Sequence, residues 1–206
     1  FVQLPEKFWR RFGAPINEKS AQLGGTFIPA SAESYKGKLR DLLAWYRRQM
    51  DVLGIEVHLE DEVSSLIEFG SAPVIVATGA KPVIPTSIPG YERMIEACDY
   101  LNGAEVGSTV AVIGGGLTGC EIAYELALQG KQPYIVEMKD DLIAQTGVCL
   151  ANSSYLREWF AFHKVPVYLE STLAEVREGE ISITQKDGTT KVIPCDSVIA
   201  SIGYTP

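Results

Sequence analysis

The chain has 206 residues, of which 46% are hydrophobic and 21% charged, and these proportions are ordinary for one or two modest domains with an apolar core. The formal net charge is −8, so nucleic acid is not an expected partner, because proteins that bind it normally present a basic face. There is no run of 18 apolar residues and no basic-then-apolar leader pattern, so we expect no membrane partner and no signal peptide.

The cysteines are scattered along the chain, with no Cys-x-x-Cys pair among Cys98, Cys120, Cys149 and Cys195. Zinc and iron–sulfur sites need clustered thiolates, and a redox dithiol needs two neighbouring cysteines. The sequence therefore predicts no metal site and no redox disulfide in this segment. Free thiols of this kind are typical of a reducing compartment, and we expect a cytoplasmic protein.

The first half of the chain has a mixed pattern. Residues 1–17 weakly indicate a short amphipathic helix, and apolar residues at helical spacing predict a helix over 31–53 that ends before Gly54. Alternation predicts a strand over 55–59, and the apolar run at 73–77 predicts a buried strand followed by a turn. Prolines between 82 and 90 indicate an interdomain connection, so the predicted domains are 1–106 and 107–206.

From residue 107 onward, strand and helix patterns alternate. Helices are predicted at 117–129 and 152–163, and strands at 109–113, 133–137, 165–169, 173–176, 181–185, 191–193 and 196–202. Asp187-Gly188 is typical of a hairpin turn within the run of short strands. This order predicts an α/β fold, with a Rossmann-like parallel sheet and a β-meander.

A glycine-rich turn follows the first of these strands and has the spacing G-x-G-x-x-G. Gly114 permits a sharp turn, Gly116 lets a pyrophosphate approach the backbone, and Gly119 lets the helix pack closely on the sheet. The free N–H groups of Leu117 and Thr118 then point toward the phosphates, with the helix dipole adding to the attraction. The alternative is a glycine-rich turn without a ligand, which would weaken the helix start without benefit.

An acidic residue ends the next strand, because Glu137 stands 18 residues beyond Gly119. A carboxylate here accepts hydrogen bonds from the adenosine ribose, and it would repel a 2′-phosphate by roughly 1 to 4 kcal/mol. The sequence therefore predicts NAD(H) as cofactor, with Met138 also in the site and Lys139 able to soften the repulsion. The alternative for Glu137 is an exposed acid without a ligand role. Glu121, on the first turns of the helix, is also explained by the helix dipole alone.

Four stretches carry a family resemblance. Residues 114–123, GGGLTGCEIA, resemble the G-G-G-x-x-G-x-E-x-A motif of the flavoprotein reductases with two dinucleotide-binding domains, and this places Gly115 in the motif. Residues 18–25 resemble the end of the second FAD-domain strand, 76–80 the A-T-G linker motif, and 199–206 the second linker motif. The chain is most similar to the C-terminal region of the 2-enoate reductase and 2,4-dienoyl-CoA reductase group, in which NADH:flavin oxidoreductases are fused to an Old Yellow Enzyme-like barrel.

The resemblance implies that 107–206 bind NAD(H) and that 1–106 are part of an incomplete FAD-side domain. In such relatives electrons pass from NADH to FAD, then through an iron–sulfur cluster to FMN, and reduce an activated alkene. It also implies that Glu137 holds the ribose, that Glu121 lies near the nicotinamide and that Gly203 lies close to the cofactor.

The family's FAD fingerprint should begin about 20 residues before Glu18, where only 17 residues stand, and they contain one glycine. We therefore expect a fragment whose partners are NADH and the barrel and FAD segments of a parent chain. FMN and the cluster are expected only in that parent, and no catalytic side chain is assigned here. Two alternatives stay open. One is a vestigial domain that holds ADP structurally, as in amine dehydrogenases, and the other is a disulfide reductase relative, which would need a redox cysteine pair.

Overall fold

The computed structural model describes residues 14–205, so most of the weak helix pattern at 1–17 lies outside the described residues. The chain divides into two compact units, the first ending at Gly79 and the second beginning at Ala80.

The first unit contains two parallel strands and two helices. Their bounds are β1 Ile16–Glu18, α1 Phe27–Ala30, α2 Gly37–Val52 and β2 Val57–Leu59, with 3₁₀ turns at Ser34–Lys36 and Leu66–Phe69. The helix predicted over 31–53 starts later, at Gly37, because the guanidinium of Arg40 donates to the carbonyl oxygens of Ser31 and Glu33 and holds the preceding chain in a turn. β1 ends at Glu18, where the resemblance places a strand end.

The buried strand predicted at 73–77 is wrong. These residues have no regular structure, and Val74, Ile75 and Val76 are 41%, 55% and 62% exposed. An apolar run becomes a strand only where neighbouring strands take up its hydrogen bonds and another layer covers its side chains. No strand among the described residues pairs with this run.

The second unit is built on a parallel sheet of five strands in the order β4-β11-β5-β6-β7. Its strands are β3 Lys81–Pro82, β4 Met94–Glu96, β5 Thr109–Ile113, β6 Gln132–Val136, β7 Val167–Tyr168, β8 Thr172–Arg177, β9 Glu180–Thr184, β10 Thr190–Pro194, β11 Ser197–Ala200 and β12 Tyr204–Thr205. Its helices are α3 Ala97–Leu101, α4 Leu117–Leu128 and α5 Leu150–His163, with a 3₁₀ turn at Tyr91–Arg93. β12 pairs with β3 in a separate two-stranded ribbon.

Both faces of the parallel sheet are covered, which explains its continuous apolar strands. On β5, Val110 and Val112 belong to one core cluster, together with residues of α4 and α5. Ala111 and Ile113 point to the opposite face and pack with the antiparallel meander β8-β9-β10. The predicted α/β fold, a Rossmann-like parallel sheet with a β-meander, is confirmed.

The second unit begins earlier than the predicted boundary at residue 107. β4 follows the proline-rich stretch at 82–90 and pairs in parallel with β11, with Ile95 opposite Ile199, so an edge strand of the sheet lies before the predicted boundary. The prolines of that stretch precede β4 and do not interrupt it, and a turn rich in proline is therefore compatible with a strand directly after it. In the part of the chain that the structure describes, no helix is both long and apolar enough to cross a membrane.

A candidate dinucleotide site at the carboxyl edge of the sheet

The turn from β5 into α4 is closed by backbone contacts that only glycine allows. Gly114 has a φ of +104°, and a Cβ on it would lie 2.2 Å from the carbonyl oxygen of Ser201. A Cβ on Gly119 would lie 1.9 Å from the carbonyl oxygen of Gly114. The two glycines therefore bring the helix, the turn and the end of β11 into direct contact, as the predicted roles of the first and third glycines require.

Gly116 differs from the other two because it faces open space. A Cβ on it would have a single neighbour within 4 Å, the Oε1 atom of Gln145 at 3.4 Å. α4 begins at the next residue, so the N–H groups of Leu117 and Thr118 lie in its first turn, where no intrahelical acceptor exists. An open backbone surface beside these donors and the positive end of a helix dipole fits a diphosphate.

Glu137, directly after β6, reaches back to the glycine-rich turn and is only 8% exposed. Its Oε2 accepts a hydrogen bond from the Gly115 N–H at 2.6 Å, and its Oε1 accepts one from the Lys139 N–H at 2.8 Å. These two bonds fix the carboxylate, and each oxygen keeps acceptor capacity for a further donor such as a ribose hydroxyl. Sequence reasoning missed the first of them, through which Glu137 also holds the turn itself.

The remaining predicted residues are more loosely connected to this turn. Met138 is 70% exposed, and Glu121 is half-buried on α4. Gly203 is exposed beyond β11, where its carbonyl oxygen accepts a hydrogen bond from the Val83 N–H at 2.9 Å. Ser201, two residues earlier, is the residue that contacts Gly114. The side chain of Lys139 is turned to the Ala144 carbonyl oxygen, with its Nζ at 3.3 Å.

A second element of the site, the loop 138–149, was not found by sequence reasoning. Leu142 and Ile143 are buried in the core, and the N–H of Ile143 donates to the Gly115 carbonyl oxygen at 2.7 Å. Ile143 has a φ of +51°, a left-handed conformation that costs an L-residue roughly 1 to 2 kcal/mol. The packing and the hydrogen bond hold it there. The apolar pair directly after the charged run Lys139-Asp140-Asp141 was the available signal.

An ion pair fastens this loop to α5. The Nε atom of Arg157 lies 3.0 Å from Oδ1 of Asp141, and its Nη2 lies 2.9 Å from Oδ2 of the same carboxylate. Nη2 also donates to the carbonyl oxygen of Leu142. Such two-point contacts between a guanidinium and a carboxylate fix geometry as well as supplying energy.

One cysteine of this unit lies buried beneath the glycine-rich turn. All four cysteines are free, and Cys120, on α4 beneath the turn, donates weakly to the Gly115 carbonyl oxygen with its Sγ at 3.4 Å. Burial raises the pKa of Cys120 to about 12, and the nearby Glu137 carboxylate adds to the shift, so the thiol stays protonated at neutral pH. Across residues 14–205, no group of three or more His, Cys, Asp or Glu side chains could hold a metal ion.

The chain is similar to two longer proteins of known activity. The chain is 36% identical over 191 residues to cinnamate reductase of Clostridium sporogenes, covering 91% of this chain and 28% of that protein. It is 30% identical to an NADH oxidase of Thermoanaerobacter brockii, covering 93% of this chain and 30% of the oxidase. The chain thus spans about 30% of the length of these relatives.

Solved structures give a similar result. A complex of 2-naphthoyl-CoA reductase matches 93% of this chain with a TM-score of 0.81 and 25% identity, over 29% of its own length. Histamine dehydrogenase from Rhizobium sp. 4-9 matches 95% of this chain with a TM-score of 0.76, over 31% of its own length, and its 18% identity shows the fold alone. The resemblance to the 2-enoate and dienoyl-CoA reductase group is confirmed by the cinnamate and naphthoyl-CoA reductases. Residues 5–206 match the family described as pyridine nucleotide-disulphide oxidoreductase, and the chain belongs to that family.

Proposed function

We propose that this chain is the NAD(H)-binding part of a flavin-dependent oxidoreductase that passes hydride from NADH to FAD for the reduction of an activated alkene. The similarity to cinnamate reductase and 2-naphthoyl-CoA reductase supports the alkene-reducing class. FAD, FMN and an iron–sulfur cluster belong to the parent enzyme in this proposal, as do the barrel and the remaining FAD segments. The first unit, which ends at Gly79, would contribute to the FAD side.

One observation carries the proposal: the buried carboxylate of Glu137 is bonded to the backbone of the glycine-rich turn. This contact brings together an acceptor for ribose hydroxyls and the open surface at Gly116. Glu137 stands 18 residues beyond Gly119, close to the separation of about 20 residues at which dinucleotide-binding folds place the ribose-binding acid.

In this proposal the protein binds and orients the dinucleotide. The bound NADH supplies the hydride, and the chemistry is its own. The first-turn N–H groups at Leu117 and Thr118 hold the diphosphate, and Glu137 fixes the ribose. Gly114, Gly115 and Gly119 maintain the turn, while Glu121, Met138 and Gly203 are proposed to border the cofactor. None of these side chains exchanges a proton with the substrate.

Replacing Glu137 by Gln tests the assignment. The carboxylate should disfavour a 2′-phosphate by about 1.4 kcal/mol or more, so the natural chain should bind NADH at least about tenfold more tightly than NADPH. In Glu137→Gln this preference should fall to nearly equal affinities, measured by fluorescence titration with both reduced dinucleotides. Asp140→Asn removes the same charge from an exposed side chain nearby and should keep the preference. No saturable NADH binding up to millimolar concentration would contradict the proposal.

A second candidate is a domain that holds ADP structurally. It is favoured by the fact that the described contacts, at Gly116 and Glu137, suit the adenosine diphosphate half that ADP and NADH share. The fold likeness to histamine dehydrogenase is compatible with it. Calorimetric titration with ADP and NADH separates the two: tighter NADH binding supports the redox role. Equal affinities, together with a parent enzyme that does not oxidise NADH, would support the structural role.

A further inference from the structure

The loop 138–149 lies against the open side of the glycine-rich turn. Leu142 packs on Gly115, since a Cβ placed there would lie 2.6 Å from the Leu142 Cδ2 atom. The N–H of Ile143 bonds to the Gly115 carbonyl oxygen at 2.7 Å. Two consecutive residues of the loop thus contact one residue of the turn, and they set where the rest of the loop stands.

These contacts bring one polar side chain to the proposed diphosphate surface. Among the described residues, and apart from the chain neighbours of Gly116 and the α4 backbone, one atom lies within 4 Å of a Cβ placed on Gly116, the Oε1 atom of the Gln145 amide at 3.4 Å. A glutamine amide carries two N–H donors, so it can turn these toward an anion beside Gly116. Gln145 is itself exposed.

Arg157 determines the position of this loop from below. Its guanidinium lies 3.0 and 2.9 Å from the two carboxylate oxygens of Asp141 and donates a hydrogen bond to the Leu142 carbonyl oxygen. Arg157 therefore binds the two residues just before Ile143. The left-handed backbone of Ile143 follows directly. A strained residue between an anchored segment and a polar tip persists only while the anchor holds it.

We propose that the loop 138–149 is a second wall of the diphosphate site, in which Gln145 donates to a phosphate and Arg157 is the positioning residue that sets the loop. This inference rests on the proposed function, because the phosphates concerned are those of NADH or ADP. It assigns a binding role to a loop that follows the ribose-binding acid, and it extends the site beyond the glycine-rich turn.

A charge placed at position 145 tests the wall directly. Gln145→Lys should tighten ADP and NADH binding up to about fivefold at low ionic strength, and the gain should disappear in 1 M salt. Gln145→Glu should weaken binding by a similar factor, again only at low salt. Gln129→Lys and Gln129→Glu make the same charge changes at the end of α4 and should leave both affinities unchanged.

The role of Arg157 is tested by whether it is needed for that gain. In Arg157→Met the loop should no longer be held in its position beside the glycine-rich turn, so ADP should bind several-fold more weakly. In the double variant with Gln145→Lys, the added lysine should no longer tighten ADP binding. Arg157→Lys keeps the positive charge but cannot contact both carboxylate oxygens of Asp141 in the same way. It should therefore recover part of the ADP affinity that Arg157→Met loses. A residue that merely stabilised the fold would leave the effect of Gln145→Lys intact. If Arg157→Met does not fold, Asp141→Asn breaks the same contact from the loop, with Asp140→Asn as its control.

The outcomes separate the two proposals. Failure of the natural chain to bind either ADP or NADH overturns the proposed function and this inference with it. If the natural chain binds but both charge variants at position 145 bind equally well, the loop is no part of the site. If the charge variants respond but Arg157→Met and Asp141→Asn change nothing, the positioning role of Arg157 is refuted while the wall stands.

Discussion

Two segments of this chain have the same local pattern, an apolar run followed by glycine. One of them is a buried strand, and the other is exposed and has no regular structure. Val110 and Val112 precede Gly114 and are fully buried, whereas Ile75 and Val76 precede Gly79 and are more than half exposed. β5 lies between β11 and β6 in the sheet and is covered on both faces, while no described strand pairs with residues 73–77. A strand pattern therefore predicts that a segment can form a buried strand. Whether the strand forms depends on neighbouring strands and on a layer that covers its side chains.

The largest contrast is expected from adding one methyl group to a glycine that follows each segment, Gly119 on α4 after β5 and Gly79 after residues 73–77. Gly119→Ala should destabilise the second unit by about 3 kcal/mol and abolish NADH binding, since the new Cβ would collide with the Gly114 carbonyl oxygen. Gly79→Ala meets no atom within 4 Å, and its φ of +75° should cost only about 1 kcal/mol. Urea denaturation followed by circular dichroism measures both. Equal losses would show that the two turns are equally constrained.

Shortening one apolar side chain in each run should give the next largest difference. Val112→Ala removes two buried methyl groups and leaves a cavity in the core, so unfolding free energy should fall by about 2 kcal/mol. Ile75→Ala removes more carbon from an exposed side chain and should stay within about 0.5 kcal/mol. The same denaturation experiment compares them. A large loss at position 75 would mean that this run is covered in solution.

The smallest effect concerns the pH dependence of the buried region. The Cys120 thiol has a pKa of about 12 in the folded chain against 9.0 ordinarily, so between these values the unfolded state loses a proton that the folded state keeps. The contribution of this thiol to the free energy of unfolding is therefore fully present below pH 9, and it is lost as the pH rises toward 12. The natural chain should therefore lose about 1 kcal/mol more than Cys120→Ala between pH 8 and pH 10. Parallel pH profiles of the two unfolding free energies would refute this.

Much of the second unit could be predicted because its local patterns and its tertiary contacts agree. The glycine spacing, the β-branched strand before it and the acid after β6 each correspond to an observed element. The parallel sheet and the meander followed from the order of strand and helix patterns.

What escaped prediction depends on contacts between distant residues. The bond from the Gly115 N–H to Glu137 spans 22 positions, and the contact of Arg157 with Asp141 spans 16. Neither has a periodicity that a single sequence would reveal. β4 was missed for a related reason: it has three residues, and its partner β11 lies about a hundred positions further on.

The position of β4 at the sheet margin also bears on where this protein can be cut. A shortened chain starting at residue 107 would leave the outer side of β11 with unpaired amide and carbonyl groups along Val198–Ala200. An uncovered margin of this kind invites pairing with other polypeptides, and hence aggregation. Proteolytic or engineered separation near Ala80 keeps β4 paired with β11, so a fragment that folds on its own should be sought there.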